Sequence, residues 1–215
     1  MVYYIHFTDP NSPEMHDFLA GIPTCPGTCF FIDINKSTDL KYLGGLTDWG
    51  RKLNNTFNFI SFLNDFPENI VKGIGDEIML FIPDEELKRK SSYTTYYQLL
   101  EEIYSTVDNI RSFPIPEMFL PCKVSVHYCT EVYNITFLKG VNDYYGRDID
   151  LTARLMTKAV ENQIVLSEKF YVKVLNDLVS LNLPKDHGCM AKISETFMEQ
   201  FRGVPERTEY RVIET

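Results

Sequence analysis

The sequence predicts an α+β fold, with helices packed on a largely antiparallel sheet. Three observations lead there. Apolar or alternating runs of strand length recur along the 215 residues, and stretches of helical period lie between some of them. The two kinds of element do not follow the strict strand–helix alternation that builds parallel sheets. Hydrophobic residues make up 44% and charged residues 24% of the chain. That is enough apolar surface to offset chain entropy, which argues against disorder. The length suits one domain with a short extension.

Residues 1 to 27 are rich in Pro, Gly, Asp and Ser, as in Thr8-Asp-Pro-Asn-Ser-Pro13, and read as a lead-in arm to a domain spanning residues 28 to 215. Thr28 to Ile34 reads as a buried strand. Residues 47 to 63 form a helical pattern with Trp49, Leu53, Phe57 and Ile60 on one stripe. Strands are expected at Asn69 to Lys72 and Ile78 to Ile82, flanking the hairpin-like turn Gly73-Ile-Gly-Asp-Glu77. A helix at Tyr93 to Ile110 precedes a stretch punctuated by Pro114, Pro116 and Pro121. Lys123 to Cys129 alternates as a strand, and Val132 to Phe137 is expected to pair with it. Asp150 to Lys158 is helical, Ile164 to Leu166 is a short strand, and Ser167 caps a helix from Glu168 to Leu175. Thr208 to Ile213 reads as the last strand.

The formal net charge of −9 argues against a stable nucleic-acid partner, which needs a basic face along the phosphate backbone. A small anionic ligand held by metal ions or a few local cations stays open. No apolar run reaches the roughly 18 residues of a spanning helix, so no membrane insertion is expected. The N-terminus, Met1-Val-Tyr-Tyr-Ile-His6, lacks the basic and apolar regions of a signal peptide. Cys25, Cys29, Cys122, Cys129 and Cys189 are odd in number and are expected to be reduced thiols in a cytoplasmic protein. The Cys25–Cys29 spacing occurs in zinc sites, but no second pair accompanies it.

Three stretches can carry chemistry. Asp33 ends an apolar strand, where a carboxylate is costly unless it is solvated, hydrogen-bonded or bound to metal. It either caps the next helix or ligates a divalent ion. In Lys72-Gly-Ile-Gly-Asp76, the glycines permit a tight turn that presents Asp76 at a strand junction. This is either an ordinary hairpin or the second carboxylate of a site with Asp33. Mg²⁺ suits one or two carboxylates plus phosphate oxygens. Asp150 and Arg154 are four apart on a helix face, forming either a surface ion pair or a guanidinium free to meet phosphate. His127, on an expected strand, reads as a satisfied core or interface histidine.

In order and spacing, these stretches resemble class III nucleotidyl cyclases. The family pattern opens with Phe-x-Asp-Ile, then Lys-x-x-Gly-Asp, then Asp-x-x-Gly-x-x-x-Asn-x-x-x-Arg-Leu. Here stand Phe31-Ile-Asp-Ile34, Lys72-Gly-Ile-Gly-Asp76, and Asp143-Tyr-Tyr-Gly146 running on to Arg154-Leu155. Ala159 to Ser167 matches the following segment of a small residue, a strand and a serine. The resemblance covers residues 28 to 215 and implies a ferredoxin-like core. It further implies that Asp33, Asp76 and the carbonyl of Ile34 hold two Mn²⁺ or Mg²⁺ ions. Lys72 and Asp143 read the base, Phe31 belongs to the nucleotide site, and Arg154 is the transition-state arginine. Because one subunit supplies the metal ligands and the other the base contacts and arginine, a head-to-tail homodimer with composite sites is implied. The reaction would be attack of the ribose 3'-OH of a nucleoside triphosphate on its α-phosphate.

Two positions depart from the family. Its asparagine is Asp150 here, and the position of its C-terminal phosphate-binding lysine holds Val204, with Arg202 and Arg207 nearby. Lys72 and Asp143 fit the hydrogen-bonding edges of adenine, uracil and cytosine alike, so pocket volume must choose among them. The Tyr144-Tyr145 doublet either fills a purine-sized space or packs at an interface. The segment Gly146 to Leu155 is similar to that of stand-alone bacterial pyrimidine cyclases of Pycsar antiphage systems. That implies conversion of UTP to cyclic UMP, a separate effector activated by the cyclic nucleotide, and no attached sensor. Cytidylate cyclase, a divergent adenylate cyclase and a degenerate nucleotide-binding domain are the alternatives. A diguanylate-type synthase is disfavoured, because its Gly-Gly-Asp/Glu-Glu-Phe signature is absent.

Overall fold

The computed structural model describes residues 2–7, 9, 12–62, 66–89, 93–115 and 117–215. Leu63, at the end of the expected second-quarter helix, lies outside these residues, as do Pro116 and, in the arm, Thr8, Pro10 and Asn11. In the arm, strand β1 (Tyr3–Tyr4) precedes helix α1 (Pro13–Ala20), whose N-terminus is capped by the Ser12 hydroxyl accepting from the Met15 N–H at 3.2 Å. Strand β2 (Gly27–Ile34), helices α2 (Ser37–Leu43) and α3 (Leu46–Phe62), and the hairpin β3 (Ile70–Ile74) and β4 (Glu77–Pro83) follow. Next come α4 (Asp84–Leu87), α5 (Tyr96–Ser112), β5 (Cys122–Cys129) and β6 (Ile135–Thr136). Helix α6 (Arg147–Met156), β7 (Gln163–Ser167), α7 (Glu168–Ser180), β8 (Phe197–Glu199) and β9 (Thr208–Glu214) complete the order.

Seven strands form the main sheet in the order β3-β4-β2-β5-β7-β9-β8. All neighbours are antiparallel except β5 and β7. Apolar residues fill both faces of β2, which is why its sequence is continuously hydrophobic rather than alternating. Phe30 and Ile32 join Leu80, Val126 and Leu166 under α5 and α7. Cys29 and Phe31 join Met79, Phe81 and Val165 on the other face, with Ile149, Leu155 and Met156 of α6. Thr95 caps α5 and Ser167 caps α7 through their hydroxyls. Among the described residues, no helix is long and apolar enough to cross a membrane. All five cysteines are free.

The expected α+β class and mainly antiparallel sheet are observed. The segment 132–137 departs from expectation. It does not pair with β5; only Ile135 and Thr136 form a strand, and it pairs in parallel with β1 of the arm. The reason is local. Beyond Cys129, the Thr130 and Glu131 N–H groups donate to the Asp148 carboxylate at 2.6 and 2.8 Å, which takes them out of any ladder. Helix α7 runs five residues past the expected Leu175, because Leu178 is buried and continues the apolar stripe.

Candidate active site

One end of the sheet concentrates acid. The register places Asp33 of β2 between Glu77 of β4 and Lys123 of β5. Gly75, at φ 69°, makes the tight β3–β4 turn, a conformation that glycine adopts without strain. That turn sets Asp76 beside the end of β2, where the Ile34 N–H donates to the Asp76 carbonyl at 3.2 Å. The Ser37 hydroxyl donates to the Asp76 carboxylate. Lys123 Nζ lies 3.1 Å from Asp33 Oδ2. Burial and the Asp33 charge push the Glu77 carboxyl up to about 7, against the pull of Lys123 and with a further push from Asp76. The carboxylates of Asp33 and Asp76 offer hard oxygen donors of the kind a divalent cation takes, with Lys123 as the cation now beside Asp33. Lys123 was expected only as the start of a strand. The face it shares with Asp33 becomes legible only once β2 and β5 are known to be neighbours.

A second cluster lies on β3 and the segment before α6. Lys72 Nζ donates to both oxygens of Asp143, at 2.9 and 2.8 Å. The Tyr144 N–H donates to Asp143 Oδ1 at 2.8 Å, and the Asn134 amide to the Asp143 carbonyl at 3.4 Å. The tyrosine doublet splits. Tyr144 packs on Phe81, centroids 4.3 Å apart, within the layer beneath α6. Tyr145 remains 39% exposed, with its ring centroid 5.3 Å from Lys72 Nζ and its edge against Phe137. Phe31 is buried, 3% exposed, and lies opposite Met79 of β4, which is in turn opposite Lys72 of β3.

Helix α6 presents Asp150 and Arg154, both exposed. No ion pair joins them among the described residues. Asp150 lines a cavity of about 500 Å³ with Arg147, Lys169, Val204 and Arg207. Arg202 is not among its lining residues. Of the two arginines near the missing lysine, Arg207 therefore shares a cleft with Asp150.

His127 and Asp148 also line this cavity, and together with the buried Cys129 they bring donor atoms within 4.8 Å of one another. As expected, His127 is a satisfied core histidine. Its Nδ1 lies 2.7 Å from Ser167 Oγ and its Nε2 3.2 Å from Asp148 Oδ1. These donors are buried and hydrogen-bonded to protein groups, whereas Asp33 stays partly exposed at the end of the sheet.

No protein-family model matches the sequence, and no curated protein matches it in sequence. Solved structures do match the fold. Guanylyl cyclase Cya2 superposes with a TM-score of 0.65 and 14% identity, over 90% of this chain and 93% of that one. The adenylyl cyclase CyaB from P. aeruginosa gives 0.63 and 18%, over 89% and 95%. The guanylate cyclase domain of RhGC from Catenaria anguillulae, in complex with GTP, gives 0.61 and 13%, over 88% and 96%. The chain has the class III nucleotidyl cyclase fold.

Proposed function

We propose that this protein is a nucleotidyl cyclase that converts UTP to 3',5'-cyclic UMP and pyrophosphate. The observation that carries the reading is the Lys72–Asp143 pair. It is a donor and an acceptor held side by side at 2.8 and 2.9 Å, on a fold whose solved relatives are cyclases. Lys72 Nζ would donate to uracil O4 and Asp143 would accept from N3–H. The exposed Tyr145 ring narrows the space beside Lys72 and favours a single-ring base, and Tyr144 takes no part in that choice. The sequence resemblance to pyrimidine cyclases points the same way.

Asp33, Asp76 and the Ile34 carbonyl would hold the divalent ions, which supply Lewis-acid activation of the 3'-OH and neutralise triphosphate charge. The 3'-oxygen bonds to the α-phosphorus and the bond to the bridging oxygen breaks. Pyrophosphate leaves and the hydroxyl proton passes to water. Arg154 stabilises negative charge growing on the α-phosphate. Lys123 supplies a cation beside Asp33 that a phosphate oxygen can meet.

Arg154 and the acidic cluster act in different copies of a head-to-tail homodimer. Exposed apolar side chains support a partner surface, with Tyr42 at 87% and Leu43 at 89% at the end of α2, and Phe137 against the Tyr145 ring. The cyclic nucleotide would act as a second messenger on a separate effector in antiphage defence, a role that rests on the resemblance. The test is incubation of the protein with equimolar ATP, GTP, CTP and UTP plus Mn²⁺, with products identified by mass spectrometry. Cyclic UMP is expected to dominate. Dominant cyclic AMP or GMP would overturn the base assignment, and no cyclic product from any of the four would overturn the activity.

A further inference from the structure

Helix α6 enters the fold without an ordinary cap. Its N-cap residue is Gly146, which has no side chain to offer the first N–H groups. The Asp148 carboxylate, in the first turn, reaches instead to the end of β5. Its Oδ2 accepts from the N–H groups of Thr130 and Glu131 at 2.6 and 2.8 Å, and its Oδ1 faces His127 Nε2 at 3.2 Å. Lys169 Nζ lies 3.7 Å from the same Oδ1.

The direction of each bond follows from counting hydrogens. Ser167 Oγ accepts from the Phe170 N–H at 3.2 Å as the cap of α7. Its one hydroxyl hydrogen is then free for His127 Nδ1, 2.7 Å away. The ionised Asp148 carboxylate can only accept, so Nε2 carries the proton and donates it to Asp148, and Nδ1 of the neutral ring accepts from Ser167. A continuous polar chain therefore links the cap of α7, the middle of β5 and the first turn of α6. Two further bonds tighten it: Ser125 Oγ donates to the Thr152 carbonyl at 2.9 Å, and Thr152 Oγ1 to the Asp148 carbonyl at 2.7 Å.

Serine, histidine and aspartate in one chain also describe a hydrolytic triad. Here the serine is 2% exposed and committed to a helix cap, so it offers no nucleophile to a substrate.

We infer that His127 and Asp148 are positioning residues that lock α6, and with it Arg154, against the sheet. Arg154 lies six residues along the helix from Asp148, about 9 Å of axial rise, so a tilt at the first turn carries to the guanidinium. The base-reading pair has its own anchors, Lys72 on β3 and Tyr144 against Phe81. Loosening α6 should therefore slow the chemical step and spare nucleotide binding. The kinetic part rests on the cyclase reading; the structural part does not.

The test compares full-length His127→Ala and His127→Gln with the unaltered chain. Cyclisation kinetics and amide hydrogen exchange over residues 147–156 and 96–112 are the two readouts. His127→Ala should lower kcat by about 10- to 100-fold, with KM changed less than about twofold. Exchange should quicken in 147–156 and not in 96–112. Gln, which can donate to Asp148 and accept from Ser167, should restore most of both. If His127→Ala does not fold, Asp148→Asn decides by the same readouts, since its amide oxygen can keep the backbone bonds while the contacts of Oδ1 with His127 and the exposed Lys169 are altered. Unchanged exchange in 147–156 would overturn the inference. So would equal quickening in both helices, or a kcat and KM that worsen together. If the unaltered chain turns over no nucleotide, the cyclase reading fails and the exchange result alone decides this one.

Discussion

Asp33 and Asp76 stand among like charges, with Glu77 raised to about 7 between them. On the proposed function, these carboxylates serve a bound ion rather than stability. Asp33→Ala and Asp76→Ala should each abolish cyclisation while shifting unfolding stability by no more than about 0.5 kcal/mol. Paired mass-spectrometric turnover and thermal melts check this, and an unfolded variant would mean a structural role. Arg154→Ala should lower kcat more than it raises KM, because its contact strengthens as charge builds on the α-phosphate; steady-state kinetics give the split. His127 belongs to the opposite class, a buried group kept for order. Burial lowers its pKa below the ordinary 6.5, against the pull of Asp148. The unfolded chain therefore takes up a proton at a pH where the folded chain does not, and stability falls as pH drops below 6.5. Burial alone would raise the Asp148 carboxyl, but the His127 contact and the Glu131 and Thr130 N–H groups hold it well below 3.8. Its contribution is present above 3.8 and is lost as pH falls from there through the folded value. Between pH 7.5 and 5, the midpoint of thermal unfolding should drop more in the unaltered chain than in His127→Gln.

Gly146 shows what an element needs from a single position. At φ 156°, a Cβ there would lie 2.0 Å from the Glu131 carbonyl oxygen. Gly146→Ala should destabilise the protein by more than about 2 kcal/mol and disturb α6 first; urea melts with hydrogen exchange would show it. Elements written in periodicity or capping chemistry were legible in the sequence: β2 by its apolar run, the β3–β4 hairpin by Gly73 and Gly75, and α7 by Ser167. Elements created by tertiary contact were not. β6 exists because the Tyr3 N–H donates to the Asn134 carbonyl and the Ile5 N–H to the Thr136 carbonyl, at 3.0 and 2.8 Å. No local signal encodes that pairing. In the same way, the candidate residues were picked out by spacing, whereas Lys123 beside Asp33, the parting of Tyr144 from Tyr145, and Arg207 in the cleft with Asp150 required the sheet order.

At the scale of the molecule, one chain carries an acidic cluster at Asp33 and, apart from it, the groups proposed to read the base and meet phosphate, Lys72, Asp143 and Arg154. Function on this account is a property of two copies. In a two-fold dimer, each site draws one set from each copy. Two inactive variants with lesions in different sets should then complement each other. The most direct measurement mixes Asp33→Ala with Arg154→Ala at equal concentrations, lets subunits exchange, and follows cyclic UMP by mass spectrometry with UTP and Mn²⁺. Half of the dimers would be mixed and would hold one intact site of two, so activity should recover to about a quarter of the unaltered protein's, with neither variant active alone. No recovery from the mixture, while the unaltered chain is active and the variants demonstrably form mixed dimers, would contradict a site shared between copies.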